Sequence, residues 1–133
     1  MKLQLKKSKT LSDHTGDLIP FYKNESLKNF KIKRFFFVYG NIKYFRADHA
    51  HRKCNQVLIP VNGNIAVEVT TLGGKIKKFI LSLKNNNYLF VPRYHWIKLN
   101  FKEKNSILLT LCDYKYDKSE YIQSKKLFLR GAK

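Results

Sequence analysis

Four kinds of feature are scarce in this sequence, and each scarcity argues against a class of protein. Only two cysteines are present, Cys54 and Cys112, in no CxxC or other metal-ligand spacing, so we expect reduced thiols in a cytoplasmic protein. No apolar run approaches the roughly 20 residues that a membrane-spanning helix needs. The basic start of the chain has no apolar stretch behind it, which argues against a signal peptide. We therefore expect a soluble protein.

Acidic residues are also scarce. The chain has 9 Asp and Glu against 27 Lys and Arg, a formal net charge of +18. Such a balance favours an anionic partner, either a nucleic acid or a nucleotide-like or phosphorylated substrate. The lysines are scattered rather than gathered in one block, which weakens the case for nucleic acid.

Long helical periodicity is the fourth scarce feature. The 133 residues suit a single domain, 1–133, and short alternating or β-branched runs separated by turns predict about nine strands in an antiparallel sandwich or barrel. Asn62-Gly63-Asn64 indicates a hairpin, and only the tail from Asp117 to Leu129 suits a helix. The predicted strands cover residues 2–7, 32–39, 42–51, 56–61, 65–71, 75–83, 88–91, 95–101 and 106–112.

The stretch from Arg46 to His51 carries the chemistry. Residues two apart on a strand point to the same face, so His49 and His51 are predicted to share one pocket with Arg46 nearby. Two groups that titrate near neutral pH beside a fixed cation indicate either half of a metal site or a proton-transfer site.

An all-β chain with His-x-His at a strand end resembles the cupins, the double-stranded β-helix or jelly-roll barrels. Gln56 stands where that family has a metal-binding Glu, Gly63 fits the frame, and Ile97, five residues after Pro92, stands where it has a third His. An amide and an alkyl chain cannot replace those ligands. We therefore expect no metal and no other cofactor, with His95 as an alternative ligand should a metal bind.

Within the cupins the chain resembles the WxcM-like sugar 3,4-ketoisomerases. The resemblance rests on separated segments: Ile32-Lys33-Arg34-Phe35, Arg46-x-x-His49-Ala50-His51, Gln56, Gly63, Pro92 with Trp96, and Tyr114 through Glu120-Tyr121-Ile122. The chain departs from the usual pattern at Ala47, where the family has Gly, and at Cys112, where it has Ser.

The resemblance implies conversion of dTDP-4-keto-6-deoxy-D-glucose to a dTDP-3-keto-6-deoxyhexose through an enediol. The two histidines would be the acid and base, in an order that the sequence leaves open. The other substrate-binding candidates are Arg46 for a diphosphate or the developing charge on oxygen, Arg34, Gln56 for a sugar hydroxyl, and Tyr94 and Trp96 for stacking on thymine.

The resemblance further implies a homodimer that exchanges an N-terminal strand, within residues 1–10, and a product used to make 3-amino-3,6-dideoxy sugars for surface glycans such as lipopolysaccharide or lipooligosaccharide. An unpaired edge strand at residues 2–7 independently allows such an exchange. Three alternatives stay open: a dTDP-sugar 3,5-epimerase, a metal-dependent cupin enzyme, and a basic module that binds nucleic acid or carbohydrate.

Overall fold

Two five-stranded antiparallel sheets form the body of the computed structural model, which describes residues 2–23 and 25–131. A short helix, α1 (Lys125–Leu129), follows the strands. The described residues form twelve strands: β1 (Gln4–Lys7), β2 (Leu11–Asp13), β3 (Gly16–Leu18), β4 (Arg34–Tyr39), β5 (Arg46–His51), β6 (Gln56–Asn62), β7 (Asn64–Thr70), β8 (Ile76–Ser82), β9 (Asn87–Val91), β10 (Trp96–Phe101), β11 (Ile107–Cys112) and β12 (Tyr121–Ile122). The all-β prediction is confirmed.

The strand order is β1-β9-β6-β11-β4 in the first sheet and β12-β5-β10-β7-β8 in the second. Apolar side chains of both sheets meet in one core, in which Leu58, Leu89 and Leu108 of the first sheet are joined by Val67 and Phe101 of the second. This core fills the space between the sheets. β2 and β3 form a separate exposed hairpin, in which Asp13 pairs with Gly16.

The Asn62-Gly63-Asn64 turn connects the two sheets and is not a hairpin. β6 pairs with β9 and β11, whereas β7 pairs with β8 and β10. Gly63 has φ +76°, and a Cβ there would lie 2.1 Å from Ser106 Oγ, so glycine is required at this corner. The dipeptide therefore marked the turn correctly, but the strands on either side separate because each is buried in a different sheet.

The C-terminal tail differs in part from the helix expected between Asp117 and Leu129. Asp117 does cap a helical turn, a 3-10 turn at Lys118–Glu120, but β12 follows and pairs with β5. Helix α1 then begins after Ser124, whose hydroxyl accepts from the Leu127 amide, and it buries Phe128 against Trp96. The tail thus closes over the strand that carries the histidines.

β1 pairs with β9 of the same chain at the edge of the first sheet, in the register Leu5↔Leu89. Met1, the first residue of the segment predicted to exchange, lies outside the described residues. Among residues 2–23 and 25–131, the structure has no helix of sufficient length and apolarity to span a bilayer.

Candidate active site

A pocket of about 200 Å³ lies between the two sheets, at the end of the core where polar side chains replace apolar ones. Its polar lining comprises Arg46, His49, Gln56, Thr110 and Tyr121. A larger crevice, about 280 Å³, lies on the outer face of the first sheet, but neither histidine nor carboxylate lines it. The pocket between the sheets therefore holds the groups capable of proton transfer.

An irregularity in β5 sets which of its side chains face the pocket. Ala47 and Asp48 have φ of +64° and +59°, and the register with β10 slips so that Ile97 pairs with His49 but Lys98 with Ala47. As a result Arg46, Ala47 and His49 all line the pocket. Asp48 is turned away, and its Oδ1 accepts a 2.9 Å hydrogen bond from Trp96 Nε1.

His51 is held by a carboxylate that is itself fixed. His51 Nδ1 donates to Glu120 Oε2 at 2.5 Å, and both side chains are almost fully buried. Glu120 Oε1 accepts from the backbone amides of Lys53 and Cys54 at 3.0 and 3.1 Å. Burial alone would raise the pKa of Glu120, but these hydrogen bonds outweigh it and hold the pKa below its usual value.

The Glu120 contact decides the tautomer of His51. An ionised carboxylate only accepts, so the proton of a neutral His51 sits on Nδ1 and leaves Nε2 as the basic nitrogen. Nε2 is buried with no hydrogen-bond partner among the described residues. The pair therefore presents one unengaged base, and Glu120 would stabilise the imidazolium formed when that base takes a proton.

His49 and Tyr121 lie against His51. The ring centroids of His49 and His51 are 4.8 Å apart, and Tyr121 lies 4.9 Å from His49 and 4.4 Å from His51. Burial, and then the neighbouring His51, lower the pKa of His49 to about 4, so that this ring is neutral at pH 7. Burial raises the pKa of Tyr121, so its phenol keeps its proton.

Arg34 and Gln56 lie at the same end of the pocket. In β4 the side chains of Arg34, Phe36 and Val38 point inward, while Lys33 just before the strand is exposed. The Arg34 guanidinium lies over the Phe36 ring, and its charge acts on the nearby Tyr121. Arg34 therefore faces the inside of the fold beside Tyr121, whereas Lys33 is exposed.

Tyr94 and Trp96 are placed away from the pocket. Trp96 is only 2% exposed and packs 5.7 Å from Phe128 on the opposite face of β10, because Ile97 is the residue that points inward. Tyr94 packs at the edge of the same outer cluster. The expected stacking of either ring on thymine is therefore not supported by its position.

The residues expected to decide metal binding have the following positions. Ile97 lines the pocket opposite His49, and Gln56 occupies the lining as an amide. His95 lies in the loop before β10, with Nδ1 3.1 Å from the Arg93 carbonyl oxygen. Within the part of the chain that the structure describes, no three His, Cys, Asp or Glu side chains are grouped so that they could hold a metal ion.

Glu120 and Tyr121 were not among the predicted site residues. They lie 69 and 70 positions after His51, too far for any local spacing to connect them. The available signal was indirect, because the segment Glu120-Tyr121-Ile122 contributed to the family resemblance without a role being assigned to it.

Comparisons with known proteins give a matching family model and a similar protein of named activity. The FdtA family model, described as WxcM-like, C-terminal, matches residues 1–133. A TDP-4-oxo-6-deoxy-alpha-D-glucose-3,4-oxoisomerase of Aneurinibacillus thermoaerophilus is 27% identical over 116 residues, which is 86% of this chain and 81% of that protein.

Solved structures resemble the chain over nearly its whole length. A 3,4-ketoisomerase from Helicobacter canadensis superposes with a TM-score of 0.85 at 28% identity, covering 99% of this chain and 98% of that one. The sugar 3,4-ketoisomerase QdtA of Thermoanaerobacterium thermosaccharolyticum, solved with TDP, gives 0.85 at 25% identity, covering 98% and 94%. The predicted fold class is confirmed by these likenesses.

Proposed function

The chain belongs to the FdtA family, and from this we propose that it is a nucleotide-sugar 3,4-ketoisomerase that converts dTDP-4-keto-6-deoxy-D-glucose to a dTDP-3-keto-6-deoxyhexose. The observation that supports the reaction most directly is the buried His51–Glu120 pair against His49 and Tyr121. Such a group needs no redox partner to move a proton between neighbouring carbons.

In this mechanism His51 is the base that acts on carbon. The carbonyl at carbon 4 acidifies the hydrogen at carbon 3, and His51 Nε2 removes it to give the enediol. The same nitrogen, after exchanging its proton with solvent, protonates carbon 4, while the hydroxyl proton moves from oxygen 3 to oxygen 4. Glu120 keeps Nδ1 protonated throughout and stabilises the imidazolium between the two steps.

His49 and Tyr121 act at the oxygens. A neutral imidazole with a lowered pKa is a poor base but a good hydrogen-bond donor to a developing enediolate, a role known for a neutral histidine in triosephosphate isomerase. His49, with its pKa at about 4, meets that description, and Tyr121 offers a second donor beside it. Since His51 is only 2% exposed, one of these two rings must shift as the sugar enters.

The cations and the amide bind substrate. Arg46 lies at the exposed start of β5 and lines the pocket, which suits the diphosphate, and the TDP complex of the related QdtA supports such a ligand. Arg34 and Gln56 bind the sugar oxygens through hydrogen bonds.

The wider setting is also part of the proposal. We propose one domain that forms a homodimer with an exchanged N-terminal strand in the cytoplasm, where two buried free thiols stay reduced. The 3-keto product has the carbonyl that a transaminase needs to make a 3-amino-3,6-dideoxy sugar for surface glycans.

The test is a proton NMR time course of chelator-treated protein with dTDP-4-keto-6-deoxy-D-glucose in deuterated buffer. We expect 3-keto sugar signals with deuterium at carbon. His51→Asn should lower kcat by roughly 10²- to 10⁴-fold, the usual contribution of a general base, and His49→Asn should lower it less. Glu120→Gln should lower it by about 10²-fold, since loss of a tautomer-fixing carboxylate is costly.

Lys77→Ala, an exposed change on β8, is the control and should match the wild type. Deuterium at carbon 3 or 5 with the ketone still at carbon 4 would indicate an epimerase instead. Absence of any exchange, or activity that returns only when metal is added, would contradict the proposed reaction.

A further inference from the structure

A cross-strand row of three side chains includes Gln56 of the pocket lining. Cys112 on β11 is in direct register with Arg34 on β4 and with Gln56 on β6. Directly opposed residues of antiparallel strands point to the same face, so all three side chains meet inside the fold. Cys112 Sγ lies 3.7 Å from Arg34 Nη2 and 3.6 Å from Gln56 Nε2.

A second thiol faces this row. Cys54, in the loop between β5 and β6, is 1% exposed, and Cys112 is fully buried. The Cys54 thiol donates to the Asn55 carbonyl oxygen at 3.4 Å. Cys112 Sγ itself accepts from an amide, that of Gln56, and from the Arg34 guanidinium.

Such surroundings favour a thiolate at Cys112. The neighbouring Cys54 thiol contributes most, and together with Gln56 and Arg34 it outweighs burial and lowers the pKa of Cys112 to about 6. The pKa of Cys54 is raised, since it is the donor and is buried.

The other groups that face the thiols are Tyr121 on β12 and two carboxylates. Burial raises the pKa of Tyr121, and the nearby Arg34 guanidinium opposes that rise. Glu120 and Asp113 act on Cys54 and disfavour a negative charge there. The arrangement thus places the single thiolate at Cys112, next to the only cation that contacts it among the described residues.

We propose that Cys112 is a positioning residue of the active site, whose thiolate anchors the Arg34 guanidinium and fixes the orientation of the Gln56 amide. Because Gln56 Nε2 donates to the sulfur, Gln56 Oε1 is left to accept a hydrogen bond from a sugar hydroxyl. The role rests on the proposed ketoisomerase function, since Arg34 and Gln56 are its sugar-binding groups. Cys112 itself does not contact the substrate.

The consequence is a pH effect on substrate binding. Below pH 6 the Cys112 thiolate takes up a proton, so Arg34 loses its ionic partner and the acceptor for Gln56 weakens. We therefore expect the KM of the wild type to rise as pH falls through about 6. A residue that served only as packing would leave KM independent of this titration.

The experiment combines a thiolate titration with steady-state kinetics on dTDP-4-keto-6-deoxy-D-glucose. Ultraviolet thiolate absorbance of the native wild type should show one thiolate titrating near pH 6, which disappears in Cys112→Ser and remains in Cys54→Ser, whose hydroxyl still donates. Cys112→Ala should raise KM about tenfold with a smaller change in kcat, as expected for one hydrogen bond to a charged group. The KM of Cys112→Ser should lie between those of the wild type and Cys112→Ala, and it should not rise at low pH.

Each possible outcome of these measurements supports or contradicts one stated role. No thiolate below pH 7 in the wild type, or an unchanged KM in a folded Cys112→Ala, would overturn the role while leaving the isomerase intact. Absence of turnover in the wild type would overturn the proposed function and this role with it. Cys54→Ser, a buried thiol-to-hydroxyl change of the same size, controls for loss of packing and should keep the wild-type KM.

Discussion

The two histidines have the same side chain but different partners, and this difference separates their chemistry. His51 donates to an ionised carboxylate at 2.5 Å, which supports a positive charge on its ring. His49 is half-buried beside His51, with Glu120 and Asp48 acting on it by charge alone, and the partial burial is the largest influence on its pKa. One ring is therefore suited to accept a proton and the other to stay neutral.

This contrast predicts a pH dependence of folding. The pKa of His49 is about 4 when folded against 6.5 ordinarily, so between these values the unfolded chain binds the extra proton and the folded chain does not. Stability therefore rises with pH across this window and is lost as pH falls from about 6.5 to 4, by up to about 3 kcal/mol. Urea unfolding of the wild type and of His49→Gln at several pH values measures this change in the free energy of unfolding.

His49→Gln should flatten the pH profile between pH 4 and 6.5, because glutamine cannot take up the proton. His14→Gln, at an exposed turn position, is the matched control and should retain the wild-type slope. Equal slopes for wild type and His49→Gln would show that His49 is not held neutral by the fold.

At the residue scale, the sequence could predict which side chains meet only where the residues lie close together along the chain. Period-two alternation brought His49 and His51 together, and the frame around them singled out Gln56. Glu120 and Tyr121 arrive from β12, which a strand pattern cannot connect to β5. Trp96 was expected to bind substrate, yet it packs on the outer face of β10. An aromatic residue alone does not indicate which face of its strand is inward.

At the scale of single elements, β5 contains backbone conformations that its residues do not favour. Ala47 has φ +64°, a left-handed conformation that costs an ordinary L-residue about 1–2 kcal/mol. The conformation is nevertheless required, since the slip in register at this point brings Arg46, Ala47 and His49 to the same pocket. The strained backbone at Ala47 is thus needed to point these side chains into the pocket.

Ala47→Gly should therefore stabilise the protein. Glycine adopts positive φ freely, and we expect a gain of about 1 kcal/mol in the free energy of unfolding, reduced somewhat by the greater entropy of the unfolded chain. Urea unfolding at neutral pH measures the change. Ala50→Gly in the same strand, at a fully buried position without positive φ, should destabilise instead. A loss of stability in Ala47→Gly would show that Ala47 is not strained.

Strand positions were predictable because alternation and turn residues are local signals, and the strand starts agree with the structure to within a few residues. Pairing was not. Asn62-Gly63 reads as a hairpin, yet its strands belong to different sheets because each is buried against other neighbours. The histidine strand begins at Arg46 rather than residue 42, since residues 42–45 form a turn leading into the slipped register.

At the scale of the whole molecule, one face of the first sheet is covered unevenly. Leu27 and Phe30 bury the outer side of β6 and β9. On the edge strand β4, the outward side chains Phe35, Phe37 and Tyr39 are 62%, 50% and 72% exposed. An edge strand with an exposed aromatic row is unusual for a monomer and suits burial against a second copy.

Phe37→Glu should consequently yield a monomer in light scattering, while wild type and Ile80→Glu, an equally exposed apolar position on β8, stay dimeric. A charge at the centre of the row cannot be buried without a partner. A monomeric wild type at micromolar concentration would contradict the dimer.

Strand exchange is tested separately, because the same β1–β9 pairing forms whether β1 comes from its own chain or from a partner. Lys6 and Tyr88 are in direct register on the outer face, so cysteines at both positions should form a disulfide on oxidation. If β1 is exchanged, the oxidised Lys6→Cys, Tyr88→Cys protein runs as a covalent dimer under denaturing conditions, and each single variant runs as a monomer. A covalent monomer from the double variant would mean that β1 folds back on its own sheet, and the dimer would then rest on the β4 face alone.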